Sequence, residues 1–403
     1  MPEKPLRTIF HIDEKEYKLE YERRYNNSNA LHLNVNIGEY PAFICQTPEI
    51  FKQIISIERL DKMVSKICLS LPGIAIEQFS QKCLIDEILL TNDIEGVHST
   101  RKEIQEILQD LSKKNKRSRF AGLVAKYNSL LQDHNIQFKT CQDIRKVYDD
   151  IFYDEIKAND PDNLPYGVIF RKKGVEVQSA SQKVIHKGLF PESLVIKTFE
   201  QSLDILNDES IDIFIRIAVF HYLFGYIHPF YDGNGRTSRF ISSCILSDHL
   251  TPLIGFRLSY TIKENIYNYY KAFDICNDPR NRGELTPFVE MFLDIVIKSM
   301  NRLYETLVDK KNKLNHYLKY TNRLPNSYKP YMADLYDLLI RATLFSNIGL
   351  SRQELVVHMG ISDNTLRTKL SLIPKHLLIE NRQRNRKYYL LDLEQVDRVF
   401  DME

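Results

Sequence analysis

The chain has 403 residues, of which 43% are apolar and 27% charged, and its formal net charge is +2. At roughly 100–200 residues per domain, this predicts two or three domains of ordinary globular composition. So small a net charge gives no global reason to bind nucleic acid or membrane, and any basic surface has to be local. Residues 1–45 are expected to be β-rich, because Lys15–Tyr21 and Leu31–Ile37 alternate apolar and polar side chains. From about 48 the pattern becomes helical. One predicted helix carries Phe51, Ile54, Ile55 and Ile57–Leu60. A second runs from Phe79 to Ile94, with Cys83, Leu84, Ile88 and Leu89 apolar, and stops at Gly96. Lys113–Arg119 is a basic run, which is most simply a solvated loop or helix end. Tyr166–Gln178 reads as a short hairpin turning at Gly174, and Pro191 closes this irregular region. Helices dominate from about 193 to 318. The most apolar stretch, Ile211–Ile227, contains Asp212, Arg216 and His221. It is too short and too polar to span a bilayer, so it reads as a buried helix.

Residues 319–330 carry Asn322, Pro325, Asn326, Ser327 and Pro330, which is linker chemistry. Beyond them Tyr331–Ala342 is apolar-periodic. Ser351 with Glu354 forms a capping box that opens a second helix, closed by Gly360, and Ser362 caps a third over Asp363–Leu372. Leu377–Ile379 and Tyr388–Leu391, on either side of a polar turn at 380–387, suggest a hairpin. This order resembles a winged helix. Residues 361–390 hold seven Lys or Arg (367, 369, 375, 382, 384, 386 and 387) against Asp363 and Glu380. Such an excess suits phosphate contacts, which makes Arg367, Arg382, Arg384 and Arg386 candidates for DNA contact. A winged helix used only for protein contact is the alternative, since the fold does not fix the partner. The six cysteines form no CxxC pair, and the N-terminus has no apolar leader. A cytoplasmic protein with reduced thiols and no membrane association is expected.

The chemistry concentrates in His228-Pro-Phe-Tyr-Asp-Gly-Asn-Gly-Arg-Thr-Ser-Arg239. Pro229 disfavours helical geometry at His228, so the apolar helix ends there. Gly233 and Gly235 permit backbone conformations closed to other residues, and Asn234 tolerates left-handed geometry. A new helix starts near Gly235, and its first-turn N–H groups lack intrahelical partners. A glycine loop entering a helix N-terminus is an anion site. Arg236 and Arg239 share a face of that first turn, so the loop suits a polyphosphate. An imidazole at its other end can accept a proton from a hydroxyl. Asp232 offers a hard oxygen for Mg²⁺.

These twelve residues resemble the signature of the Fic family, His-Pro-Phe-x-Asp/Glu-Gly-Asn-Gly-Arg-x-x-Arg, with every specified position filled. The resemblance extends from about 79 to 300. It implies a mainly α fold: a Fic-type helical core with a β-hairpin flap, joined here to the small β-rich N-terminal region and the winged helix-turn-helix. The expected layout is 1–45, a catalytic domain at 46–318 with an inhibitory helix at about 79–95, a linker at 319–330 and the winged helix at 331–403. The implied activity is protein adenylyl transfer, in which a Ser, Thr or Tyr hydroxyl of a target attacks the α-phosphorus of ATP. His228 would be the base, Asp232 would help hold Mg²⁺, and Phe230 would anchor the loop. Gly233, Asn234, Gly235, Arg236 and Arg239 would bind phosphates. Val175, Glu176 and Val177 fall in the implied target-aligning flap. Tyr269 and Tyr270 fall where the family lines its nucleotide pocket, although single tyrosines are also ordinary core residues.

Thr91-Asn-Asp-Ile-Glu95-Gly96 ends a helix, where a glutamate meets the negative dipole end. The segment resembles the Fic inhibitory motif, Ser/Thr-x-x-x-Glu-Gly/Asn. This implies that Glu95 pairs with Arg239 and obstructs the γ-phosphate. Removal of AMP, transfer of another group, or nucleotide sensing by a DNA-binding regulator are the alternatives. An intact His228 and Asp232 argue against the pure sensor. The oligomeric state is open, with a homodimer among the options.

Overall fold

The computed structural model describes residues 4–111, 118–132, 136–178, 184–383 and 386–401. Most of the basic run at 113–119 and Arg384 lie outside the described residues. The chain divides into two compact units, Met1–Lys62 with Leu84–Asn301, and Met63–Cys83 with Arg302–Glu403. The architecture is mainly α, with three small antiparallel sheets among the described residues.

In the first unit the expected strand at 15–21 is instead part of the helix Glu14–Tyr25. Asp13 caps it, accepting from the Lys15 and Glu16 amides. The apparent alternation conceals a four-residue repeat, Tyr17, Tyr21 and Tyr25, which lies on one helical face. Tyr21 and Tyr25 pack against the buried Phe43, while Leu19 is exposed. The second expected strand is present as Ala30–Ile37, paired with Tyr40–Cys45.

The helix Ile213–Ile227 is the core element, with twelve of its residues buried. Asp212 caps its N-terminus by accepting from the Phe214 amide at 2.9 Å. Helices Cys141–Asn159 and Glu192–Asn207 contribute Tyr148, Phe152 and Phe199 to an aromatic core that includes Phe220, Phe224 and Phe230. The helix containing Glu87 and Thr91 runs over Gly73–Ile94, and Gly96 just beyond it is left-handed at φ 71°.

The hairpin expected to turn at Gly174 is displaced along the chain. Its strands are Glu176–Gln178 and Val184–Lys187. Residues 166–170 cannot pair as a strand, because the Glu192 carboxylate takes the amides of Val168, Ile169 and Phe170 at 2.9–3.0 Å.

In the second unit the helix Met332–Phe345 is followed by Arg352–Met359, Asp363–Ser371, the paired strands Leu378–Gln383 and Arg386–Leu391, and a final helix Leu393–Asp401. Ser351 and Glu354 form the reciprocal cap, Gly360 closes the helix in left-handed geometry, and Ser362 caps the next. The strands are longer than expected, because most of 380–387 pairs rather than turns. Leu350–Ser351 adds a third strand beside Arg386–Leu391.

Candidate active site

The helix Ile213–Ile227 ends at His228, whose φ of 53° is left-handed and uncommon for a residue with a side chain. The chain then dips into the core. Phe230 stacks on Tyr148 at 3.6 Å with the rings nearly parallel, and meets Phe170 edge-on at 5.5 Å. Asn234 braces this dip from both sides of its amide. It accepts from the Phe230 amide at 2.9 Å and donates to the Phe230 carbonyl at 2.8 Å. Its side chain is therefore committed to loop shape, and its backbone N–H is what remains for an anion. Gly233, left-handed at φ 75°, leads into the helix Asn234–His249.

At that helix start Arg236 and Arg239 are both fully buried. Arg236 lies over the Phe152 ring at 4.4 Å and reaches Asp232 at 3.3 Å and Glu155 at 3.5 Å. These are long contacts for charge-assisted bonds. Among the described residues the buried Arg236 Nε has no hydrogen-bond partner. A cation held this loosely at a helix N-terminus is chemically suited to a phosphate.

Arg239 is held firmly. Its Nε donates to Thr91 Oγ1 at 2.8 Å, and Nη2 donates to the Thr91 carbonyl at 3.0 Å and to Glu95 Oε1 at 2.7 Å. Glu95 can come this close only because residue 235 is glycine. A Cβ there would lie 2.0 Å from Glu95 Oε1. Behind Arg239, the buried His221 bonds Tyr269 Oη at 2.8 Å and Ser242 Oγ at 2.8 Å. Tyr269 is thus a buried residue backing Arg239, and burial raises its phenol above the ordinary range. Tyr270 is half-exposed.

His228 is neutral at physiological pH. Desolvation, with help from His186 and Arg171, pushes its imidazole down to about 4, against the opposing influence of the Gly225 backbone and the Glu95 carboxylate. A neutral imidazole carries a lone pair on one ring nitrogen, which is what taking a proton requires. If His228 is the base, the rate falls on the acid side only as pH passes through about 4, rather than near the ordinary histidine value of about 6.5. A pH profile of transfer checks this, and an acid limb above 6 would overturn it.

Asp232 accepts from the Gly233 amide at 2.6 Å, and its side chain is 54% exposed. Among the described residues no three His, Cys, Asp or Glu side chains cluster as a metal site. One exposed carboxylate beside a phosphate site is nevertheless a fitting donor set for Mg²⁺, which commonly takes one or two carboxylates together with substrate phosphates.

His228, Asp232, Gly233–Gly235, Arg236, Arg239, Thr91, Glu95 and Tyr269 share one region of the first unit. Glu176 and Val177 lie on the first strand of the short hairpin, paired with Lys187 and His186, and Val175 accepts the Gly188 amide just before it. Arg367, Arg382 and Arg386 belong to the second unit. Arg367 pairs with Asp363 at 3.0 Å. Sequence reasoning missed Arg171, Tyr231, Glu155, His186 and His221. Tyr231 occupies the one unspecified position between Phe230 and Asp232, and nothing local marks Arg171 as buried.

Residues 134–246 match the model of the Fic/DOC family. The chain is similar to the protein adenylyltransferase fic-1 of Caenorhabditis elegans, 29% identical over 174 residues, which are 41% of this chain and 31% of the relative. It is also similar to the protein adenylyltransferase Fic of Drosophila ananassae, 29% identical over 109 residues, 27% of this chain and 20% of the relative. The chain thus spans about a third or less of the length of these curated relatives. Among solved structures it is similar to a Fic family protein from Desulfovibrio desulfuricans G20. The TM-score there is 0.48 at 20% identity, covering 86% of this chain and 96% of that one. Among the described residues no helix is long and apolar enough to cross a membrane.

Proposed function

We propose that this chain, whose residues 134–246 match the Fic/DOC family, is a protein adenylyltransferase, moving AMP from ATP to a hydroxyl of a target protein and of itself. The observation that carries this reading is a single loop with a neutral imidazole at one end and a helix N-terminus with two buried arginines at the other. ATP would lie with its phosphates on the backbone N–H groups of the first helical turn, Arg236 and Arg239. The target's Ser, Thr or Tyr oxygen attacks the α-phosphorus, a new P–O bond forms and the bond to the β-phosphate oxygen breaks. Pyrophosphate leaves, and His228 takes the hydroxyl proton. Asp232 would hold Mg²⁺, which supplies charge neutralisation on the phosphates. Positioning and charge neutralisation carry most of such a transfer.

Glu95 occupies the hydrogen-bonding edge of Arg239 that the γ-phosphate would need, so the resting chain is self-inhibited in this reading. Labelled ATP in lysate tests the reaction type. Transfer of α-label alone means AMP transfer, whereas transfer of γ-label means phosphorylation and overturns the reading. If label is instead released from an already modified protein, with Glu95 required, removal of AMP is the main activity.

We infer, further, that the second unit is a winged helix that contacts DNA. Its support is the basic composition of the helix Asp363–Ser371 and the hairpin, where Arg382 lies opposite Lys387 and Gln383 opposite Arg386. Exposed pairs such as Lys387 with Glu380 remove part of that charge. Binding of duplex DNA by the full chain is expected to weaken steeply with salt. Changing Arg382, Arg384 and Arg386 together to Ala should weaken it for all sequences alike. No binding at low salt would make the unit a protein-contact module.

A further inference from the structure

The last carbonyls of a helix lack intrahelical partners and must find others. At the end of Ile213–Ile227 those partners come from the flap and the segment leading into it. A His186 ring nitrogen sits 2.6 Å from the Tyr226 carbonyl, and the Leu189 amide donates to Ile227 at 3.1 Å. Arg171 supplies the rest. Its Nε donates to the His228 carbonyl at 2.8 Å, its Nη2 to Ile227 at 3.4 Å, and its backbone amide to Pro229 at 3.2 Å. The same guanidinium holds the flap's two ends, donating to the Lys173 carbonyl at 2.7 Å and the Leu189 carbonyl at 2.6 Å.

Arg171 is 0% exposed, and its hydrogen bonds run to backbone carbonyls rather than a carboxylate. A cation buried without an ion pair is costly, and the negative end of a helix is a suitable compensation. The planar fork of five donors suits carbonyls converging from several directions, which an ammonium would serve poorly. Gly188 makes room for it, since a Cβ there would lie 2.6 Å from Nη2. From the loop side, Tyr231 Oη accepts the Lys172 and Lys173 amides at 3.1 and 2.9 Å.

We propose that Arg171 and Tyr231 are positioning residues that fasten the flap to the loop bearing His228, so that the strand aligning the target and the base taking its proton move as one body. This rests on the adenylyl-transfer reading for its consequence, though not for its geometry. Neither residue need touch substrate. Arg171 sets the direction of the His228 carbonyl, and with it the left-handed backbone that points the imidazole.

The test uses the full chain with Tyr231→Phe, Arg171→Lys and Arg171→Gln, and self-labelling with α-labelled ATP in a Glu95→Gln background. Tyr231→Phe keeps the ring and removes only the acceptor, so folding is preserved even where a change at the buried Arg171 prevents it. Amide exchange should quicken roughly tenfold at Lys172 and Lys173, and at 226–231 with them. Exchange in Thr286–Lys319 should not change. Self-labelling should fall about tenfold in Tyr231→Phe and Arg171→Lys. The groups facing His228 in that background are His186 and Arg171. Arg171→Gln removes a cation that disfavours the imidazolium, so the acid limb of labelling should move to higher pH, while Arg171→Lys leaves it in place. Faster exchange at 172–173 with none at 226–231, or self-labelling undiminished in a folded Tyr231→Phe, overturns the proposal. If the parent labels nothing, adenylyl transfer fails as the activity, and the exchange result still decides the clamp.

Discussion

His228→Ala is expected to reduce AMP transfer by about 10²–10⁴-fold, the range that general-base catalysis typically contributes. ATP affinity should stay within a few-fold, because Arg236, Arg239 and the N–H groups of the Asn234 helix are untouched by the change. The expectation follows from the division of the loop into two ends. The end proposed to hold phosphates is built from a helix terminus and two buried arginines. The end proposed to carry the base is an imidazole kept neutral chiefly by desolvation. Labelled transfer and nucleotide affinity, measured on one preparation, separate the two. A mutant with wild-type transfer would sink the base assignment. A mutant that loses both activities together would mean that His228 supports the loop rather than the chemistry.

Glu95→Gln is expected to raise AMP transfer, self-modification included, by up to ~10²-fold. That is the penalty associated with misplacing reacting groups by about 1 Å. Glutamine retains the shape of glutamate and removes the charge that meets Arg239 at 2.7 Å. Arg239 then keeps its two bonds to Thr91, and its remaining edge meets only a neutral amide oxygen, which the charged γ-phosphate can displace. Glu95→Gly should act in the same direction, with a looser helix end as a side effect. The double change Glu95→Gln with Arg239→Ala should lose most of the gain, since the released arginine is the agent. If every Glu95 variant, folded and ATP-bound, transfers no faster than the parent chain, Glu95 is not a brake.

Local rules account for much of what was legible in the sequence. Pro229 stopping a helix, glycines at 233 and 235 entering another, and Ser351 with Glu354 capping a third depend on neighbours within about four residues, so the chain reads them without its fold. The proposed anion site at 233–239 is of this kind, because a helix N-terminus favours an anion wherever the helix goes. Local patterns can also mislead. Tyr17, Leu19 and Tyr21 alternate like a strand, yet the same tyrosines with Tyr25 repeat every four residues, and packing on Phe43 selected the helix. The flap hairpin was misplaced for a related reason. The amides at 168–170 were claimed by Glu192, more than twenty residues away.

Charge partners were the other thing only tertiary structure could decide. A glutamate at 95 in a last helical turn announces the need for a cation, but its spacing gives no address. The fold supplies Arg239, 144 positions along the chain. Arg171 sits in Phe-Arg-Lys-Lys, where the sequence offers three cations and marks none of them as the buried one. It became the buried one because the end of Ile213–Ile227 presents unpartnered carbonyls at that point, and a planar fork can satisfy several of them together. Sequence determines the kinds of group a segment carries and the conformations open to it. Which distant groups meet depends on closure of the chain around the core, and every long-range bond at this site belongs to that closure.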